Sequence, residues 1–147
     1  MLTDGILCAV WMTEMARILL VEDECDLLDV LRDILTKVRH EVFCASGARD
    51  ALVMYRAHQP DLVITDIFLP DESGLNLILE LTRTSTVKVI AISGGGSEAG
   101  VDFLDCAEKF GAWRVLTKPL RRDELLSAVA DACGGARPYP AATHRSA

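Results

Sequence analysis

The chain has 147 residues, enough for one domain around one core. Half of the residues are hydrophobic and a quarter are charged, a globular balance that excludes a disordered chain. A formal net charge of −7 without any run of Lys or Arg argues against a nucleic-acid surface, and no apolar stretch is long enough to span a membrane.

The first fifteen residues, MLTDGILCAVWMTEM, precede the first regular pattern. Asp4 is the only charge ahead of their apolar stretch, so the basic n-region of a signal peptide is missing. Three readings of this extension stand: natural translation from Met12 or Met15, a short helix packed on the domain, or a contact for a partner. The first is favoured. The run ARILLV then predicts a strand over about 17–21 and ends in Glu22-Asp23. A helix follows over about 26–39, with Leu27, Leu28, Leu31, Ile34, Leu35 and Val38 on one face. The second strand is expected at 41–44 and the second helix at 48–58, with Ser46 and Gly47 as candidate caps.

Pro60 closes that connection, and a third strand over 61–65 leads into Asp66. Beyond a loop, a helix over 75–83 carries Leu77, Ile78 and Leu81. A strand over 87–92 runs into Ser93, and Gly94, Gly95 and Gly96 form a loose turn. A helix over 101–110 is terminated by Gly111, and a fifth strand over 112–117 precedes Lys118-Pro119. The last helix spans 122–133 and turns Leu125, Leu126 and Val129 inward. The Gly/Pro/Ala-rich end, GGARPYPAATHRSA, is expected to lack fixed structure. The organisation is therefore an extension at 1–15, one domain at 16–133 and a tail at 134–147, with no repeat and no second folded domain. Alternating βα units imply a parallel sheet covered by helices on both faces. The five cysteines, Cys8, Cys25, Cys44, Cys106 and Cys133, show no CxxC and no metal-finger spacing. They read as reduced packing residues of a cytoplasmic protein.

Four polar clusters stand at the ends of four of these strands. Ligands of open parallel α/β sheets bind in the crevice beyond the carboxyl ends of the strands, so the four converge. Asp66 can attack phosphorus and form an acyl phosphate. Taken alone it would be an ordinary loop or capping aspartate; the other three endings raise it above that. Pro70 and Gly74 shape the loop that follows, the first by fixing φ and the second by permitting a sharp exit into the helix. Glu22 and Asp23 near Asp66 would repel it and one another. A divalent cation removes that conflict, and Mg²⁺ suits a few carboxylates with phosphate oxygens and waters. The bland alternative is a solvated acidic cap on the next helix, which Glu24 and Asp26 also fit. Lys118 supplies a point charge for Asp66 or for a phosphoryl oxygen, where a lone lysine would be a surface residue. Pro119 restricts its backbone to extended geometry. Ser93 offers a hydroxyl to a phosphoryl oxygen, or is a turn serine before glycines.

These residues together resemble the receiver domain of bacterial two-component response regulators, over about residues 16–133. The resemblance implies an α/β, flavodoxin-like (CheY-like) doubly wound sheet of five parallel strands in the order 2-1-3-4-5. It implies that Asp66 accepts a phosphoryl group from a sensor histidine kinase or a histidine phosphotransfer protein, with Mg²⁺ as cofactor. By the same resemblance, Asp23, Asp66 and the Phe68 carbonyl would bind the metal directly, Glu22 would act largely through water, and Ser93 and Lys118 would read the phosphoryl group. Such a protein is a phosphoacceptor and not an enzyme in the usual sense. With no output domain after the receiver, it is expected to signal to an unknown downstream protein through surface contacts, as a monomer or a phosphorylation-linked homodimer.

Three departures from the family pattern matter. Val115 stands where receivers usually carry Tyr or Phe, three residues before the lysine, and cannot make the same rotamer swing. Gly94-Gly95-Gly96 replaces the usual alanine after the hydroxyl, and a flexible loop there is a candidate moving element. Phe68, two residues after Asp66, cannot orient an attacking water, so slow self-dephosphorylation is expected. Trp113, expected on the face of Val115, with Arg114, Arg121 and Arg122, suits either a contact surface or ordinary packing and solvation. A haloacid-dehalogenase-like hydrolase would want a second Asp in place of Phe68. A flavin protein would want a glycine- and hydroxyl-rich loop in place of Glu22-Asp23-Glu24. A receiver-like scaffold that is never phosphorylated is kept alive by Val115.

Overall fold

The computed structural model describes residues 15–94 and 103–134. Ten elements alternate in order: β1 (Arg17–Val21), α1 (Cys25–Lys37), β2 (Glu41–Ala45), α2 (Ala48–His58), β3 (Leu62–Asp66), α3 (Gly74–Thr84), β4 (Lys88–Ser93), α4 (Phe103–Lys109), β5 (Arg114–Thr117) and α5 (Arg122–Gly134). The strands form one parallel sheet in the order β2-β1-β3-β4-β5, as the resemblance implied. The extension before Met15, Gly95 and Gly96 of the glycine turn, and the tail after Gly134 lie outside the described residues.

Side chains alternate across the central strands, and this makes two cores. Ile18, Leu20, Leu62, Ile64, Ile90 and Ile92 pack with Leu31 and Leu35 of α1 and Leu125, Ala128 and Val129 of α5. Leu19, Val21, Val63, Val89 and Ala91 pack on the other face with Ala48 and Ala51 of α2, Leu77, Ile78 and Leu81 of α3, and Ala107 of α4. None of the described helices is long and apolar enough to cross a membrane.

Several boundaries differ from expectation for local reasons. Helix α1 stops at Lys37 and not at 39, because Arg39 turns into the left-handed region with φ of 76°. Strand β3 extends to Asp66, whose backbone pairs in register with Ile92 of β4. Of the helix expected over 101–110, the described part is Phe103–Lys109, followed by Gly111 at φ of +115°. Neither Ser46 nor Gly47 caps α2 with a side chain: Gly47 holds the cap position, and the carboxylate of Asp71 takes the role instead. Trp113 lies one residue before β5 and is 36% exposed, with the Arg114 guanidinium 4.5 Å from its ring centre. Cys44, Cys106 and Cys133 are half-buried, and burial pushes the Cys133 thiol up to about 11. Cys25 is exposed at the start of α1, against the packing expectation.

Candidate functional site

Asp66 closes β3, Glu22 and Asp23 follow β1, Ser93 closes β4, and Lys118 follows β5. Parallel strands bring all five to the same end of the sheet. Main-chain hydrogen bonds carry the ladder past the last paired residues: Glu22 N donates to Ala45 O at 3.0 Å, Ile67 N to Ile92 O at 3.0 Å, and Lys118 N to Ser93 O at 2.7 Å. Each chain therefore leaves the sheet in a fixed direction. The Lys118–Pro119 peptide bond is cis.

Both oxygens of the Asp66 carboxylate are held. Phe68 N donates to Oδ1 at 3.0 Å, and Lys118 Nζ donates to Oδ2 at 2.8 Å. The Thr65 hydroxyl, fully buried, donates to the Asp66 carbonyl at 2.9 Å. Asp66, Glu22 and Ser93 are buried, at 5%, 2% and 1% exposed, while Asp23 is exposed. One carboxylate oxygen from each of Glu22, Asp23 and Asp66 lies within 4.8 Å of the others.

Glu22 is the most constrained of the acids. Its Oε2 accepts from Glu24 N at 3.1 Å. Its Oε1 is buried without a hydrogen-bond donor, although Lys118 Nζ stands at ion-pair distance, 3.4 Å. Burial lifts the Glu22 carboxyl above its ordinary value and the charge of Asp66 adds to this, outweighing the Glu24 N–H and Lys118. Burial works in the opposite sense on the Lys118 ammonium. Its hydrogen bond to Asp66 and the charges of Asp66 and Glu22 nevertheless prevail, and its pKa is raised.

Two carboxylates thus share the Lys118 ammonium, and a third, Asp23, lies beside them. A buried acceptor oxygen left without a hydrogen bond, with two further carboxylates beside it, fits a hard divalent cation that takes oxygen ligands. The donor set contains no sulfur or imidazole, which disfavours zinc or copper.

Of the residues expected at the site, the structure brings Glu22, Asp23 and Asp66 close together, sets Lys118 against Asp66 and Glu22, and ends the adjacent strand at Ser93. Phe68 contributes its main-chain N–H to Asp66, and its side chain is 52% exposed. Gly74 has a different reason from the one expected. No positive φ is needed there. A Cβ would collide with the carbonyl oxygen of Asp66 and would sit 2.7 Å from Ile67 Cα and 2.8 Å from Ile67 O. Asp71 and Thr65 carried no signal that set them apart from a loop acid and a strand threonine.

A family model described as "Response regulator receiver domain" matches residues 18–130. Among solved structures, the chain is similar to a response regulator receiver domain protein from Clostridium thermocellum, 28% identical with a TM-score of 0.75 over 82% of this chain and 96% of that one. It is similar to a CheY-like receiver domain protein from Methanospirillum hungatei, 27% identical with a TM-score of 0.73 over 80% and 93% of the two chains. NtrX from Brucella abortus is 31% identical with a TM-score of 0.75, over 83% of this chain and 27% of NtrX. The family match runs from the first strand almost to the end of the last helix, and the chain belongs to the response regulator receiver domains of two-component signalling.

Proposed function

We propose that this receiver is a working phosphorylation switch, in which Asp66 takes a phosphoryl group from a phosphohistidine on a sensor histidine kinase or a histidine phosphotransfer protein. The observation that carries the reading is the part-buried contact of Lys118 with Asp66 beside a Glu22 oxygen that has no hydrogen bond. In the reaction a carboxylate oxygen of Asp66 attacks phosphorus. The P–N bond breaks, and its electron pair leaves on the imidazole nitrogen of the donor. Phe68 N–H fixes one Asp66 oxygen and so orients the other. In this reading the Lys118 ammonium passes from the carboxylate to a phosphoryl oxygen, and Ser93, which ends the adjacent strand, would donate its hydroxyl to the same group.

Glu22, Asp23, Asp66 and the Phe68 carbonyl are the groups that would hold Mg²⁺. When bound, the ion supplies neutralisation of charge on the phosphoryl oxygens. Output passes to a protein partner, and the exposed Trp113 under Arg114 supports a contact surface near β5.

Intact-mass spectrometry after incubation with acetyl phosphate and Mg²⁺ tests the reading, beside Asp66→Ala. A single Mg²⁺-dependent phosphoryl adduct, lost in the variant, is expected. A folded protein that takes no adduct from acetyl phosphate or from a phosphorylated histidine donor would replace the switch with a scaffold.

A further inference from the structure

The loop from Ile67 to Ser73 carries the main chain of Phe68 beside Asp66, and three fixtures hold it. At its base, Gly74 N donates to Ile67 O at 2.7 Å. Phe68 and Ser73 face each other in an isolated antiparallel bridge. At its tip, Asp71 reaches across to a different helix. Asp71 Oδ1 accepts from Ala48 N at 2.8 Å and from Glu72 N at 2.9 Å, and Oδ2 accepts from Arg49 N at 3.0 Å. These main-chain donors hold the Asp71 carboxyl below its usual range. Arg49 and Glu72 add an exposed ion pair at 3.7 Å.

Ala48 and Arg49 open α2, and their N–H groups need acceptors. Helices usually meet this need with Ser, Thr, Asp or Asn at the cap position itself. Here that position is Gly47, which has no side chain to offer. Its missing side chain is also what admits the carboxylate: a Cβ at Gly47 would lie 2.9 Å from Asp71 Oδ1. A local cap would serve α2 as well as one borrowed from 23 residues away. What only the distant cap does is tie the loop beside Asp66 to the body of the domain.

Resting on the phosphoacceptor reading above, we propose that Asp71 is a positioning residue: by capping α2 it fixes the loop, so that Asp66 and the Phe68 main chain are in place before the cation and phosphoryl group arrive. Ordering the loop in the free protein moves its entropy cost from binding to folding. Two consequences can be read separately, the stability of α2 and the affinity of the site.

The experiment separates them by moving the cap. Asp71→Ala removes both roles. Adding Gly47→Ser gives α2 a local cap in the space that the carboxylate vacates. Melting temperature and the Mg²⁺ Kd by calorimetry are measured for wild type, the single variant and the double variant. Amide hydrogen exchange at Phe68 is followed in the metal-free protein. The double variant is expected to regain the wild-type melting temperature, to bind Mg²⁺ about tenfold more weakly, and to exchange Phe68 N–H faster. Asp71→Asn, which keeps one acceptor oxygen, decides the matter if the double variant folds poorly, with a smaller loss of affinity expected. Wild-type Kd and exchange in either variant would overturn the proposal and leave the receiver reading intact. Failure of the wild-type protein itself to bind Mg²⁺ would overturn the cation reading and this inference with it.

Discussion

Replacing Gly74 with alanine adds one methyl group at the most crowded point of the site. Gly74 is buried at the start of α3, and its N–H is bonded to Ile67 O. The added Cβ would meet the Asp66 carbonyl oxygen well inside contact distance, with Ile67 Cα at 2.7 Å and Ile67 O at 2.8 Å, where ordinary contact begins at 3.4 Å. All three are main-chain atoms, so no side-chain tip can swing away. Asp66 cannot recede either, because β3 is paired with β1 on one side and with β4 on the other. Relief must come from α3, which would lift by the better part of an ångström and loosen Leu77, Ile78 and Leu81 from the second core. Overpacking costs about 1–3 kcal/mol, and a collision with main chain alone belongs at the upper end, about 3 kcal/mol. For a domain of this size that lowers the melting temperature by about 10 °C. Gly74→Ala should show this loss by urea and thermal denaturation; on the proposed function, the disturbed loop beside Asp66 should also slow acetyl phosphate labelling. Wild-type midpoints and labelling would refute the reasoning, since they would mean that α3 yields without cost.

Three further outcomes follow from named contacts. Glu22→Gln removes a buried charge beside Asp66, so in metal-free buffer the variant should melt above wild type, and the upward shift that Mg²⁺ gives the wild type should shrink; a lower metal-free melting point with an unchanged Mg²⁺ shift would contradict this. Phe68→Asn places a carboxamide beside the acyl phosphate, able to orient water, and should shorten the phosphoryl lifetime severalfold in a decay assay; an unchanged lifetime would remove Phe68 from the account of slow hydrolysis. His40 is half-buried, its Nδ1 accepts from Ala16 N at 3.1 Å, and burial depresses its pKa below 6.5. The unfolded chain then takes up the proton first, so stability is full above pH 6.5 and falls as the pH drops below it. His40→Asn, which keeps an acceptor near the same place, should flatten that slope in denaturation curves taken across this range.

The sheet and most of the candidate site were legible because both rest on local patterns. Buried parallel strands are short apolar runs, and their ends mark where polar residues collect. Glu22, Asp23, Asp66, Ser93 and Lys118 could be picked out from such endings alone. Contacts between distant segments left no such trace. Asp71 looks like any exposed loop acid, and its partner helix starts 23 residues earlier. Gly74 announces itself as a glycine but not its reason, which is the proximity of the Asp66 and Ile67 main chain. The early end of α1 depends on Arg39 at φ of 76°, where the sequence offers no glycine to signal it.

The electrostatics of the site argue that the fold maintains it against its own stability. Glu22 is buried and half-satisfied, and Lys118 is shared between Glu22 and Asp66 at unequal distances. A partly satisfied buried network costs more than an apolar replacement of the same shape. Folding alone gives no reason to keep an acid at this position. The neighbouring carboxylates supply one, because the same unmet negative charge that penalises the metal-free state is what a divalent cation would relieve. The gain in stability on adding Mg²⁺ and the gain on removing the Glu22 charge should therefore trade against each other. That trade distinguishes a site kept for binding from an acidic cluster left over at a strand end: in the second case Glu22→Gln would stabilise the protein equally with and without the ion.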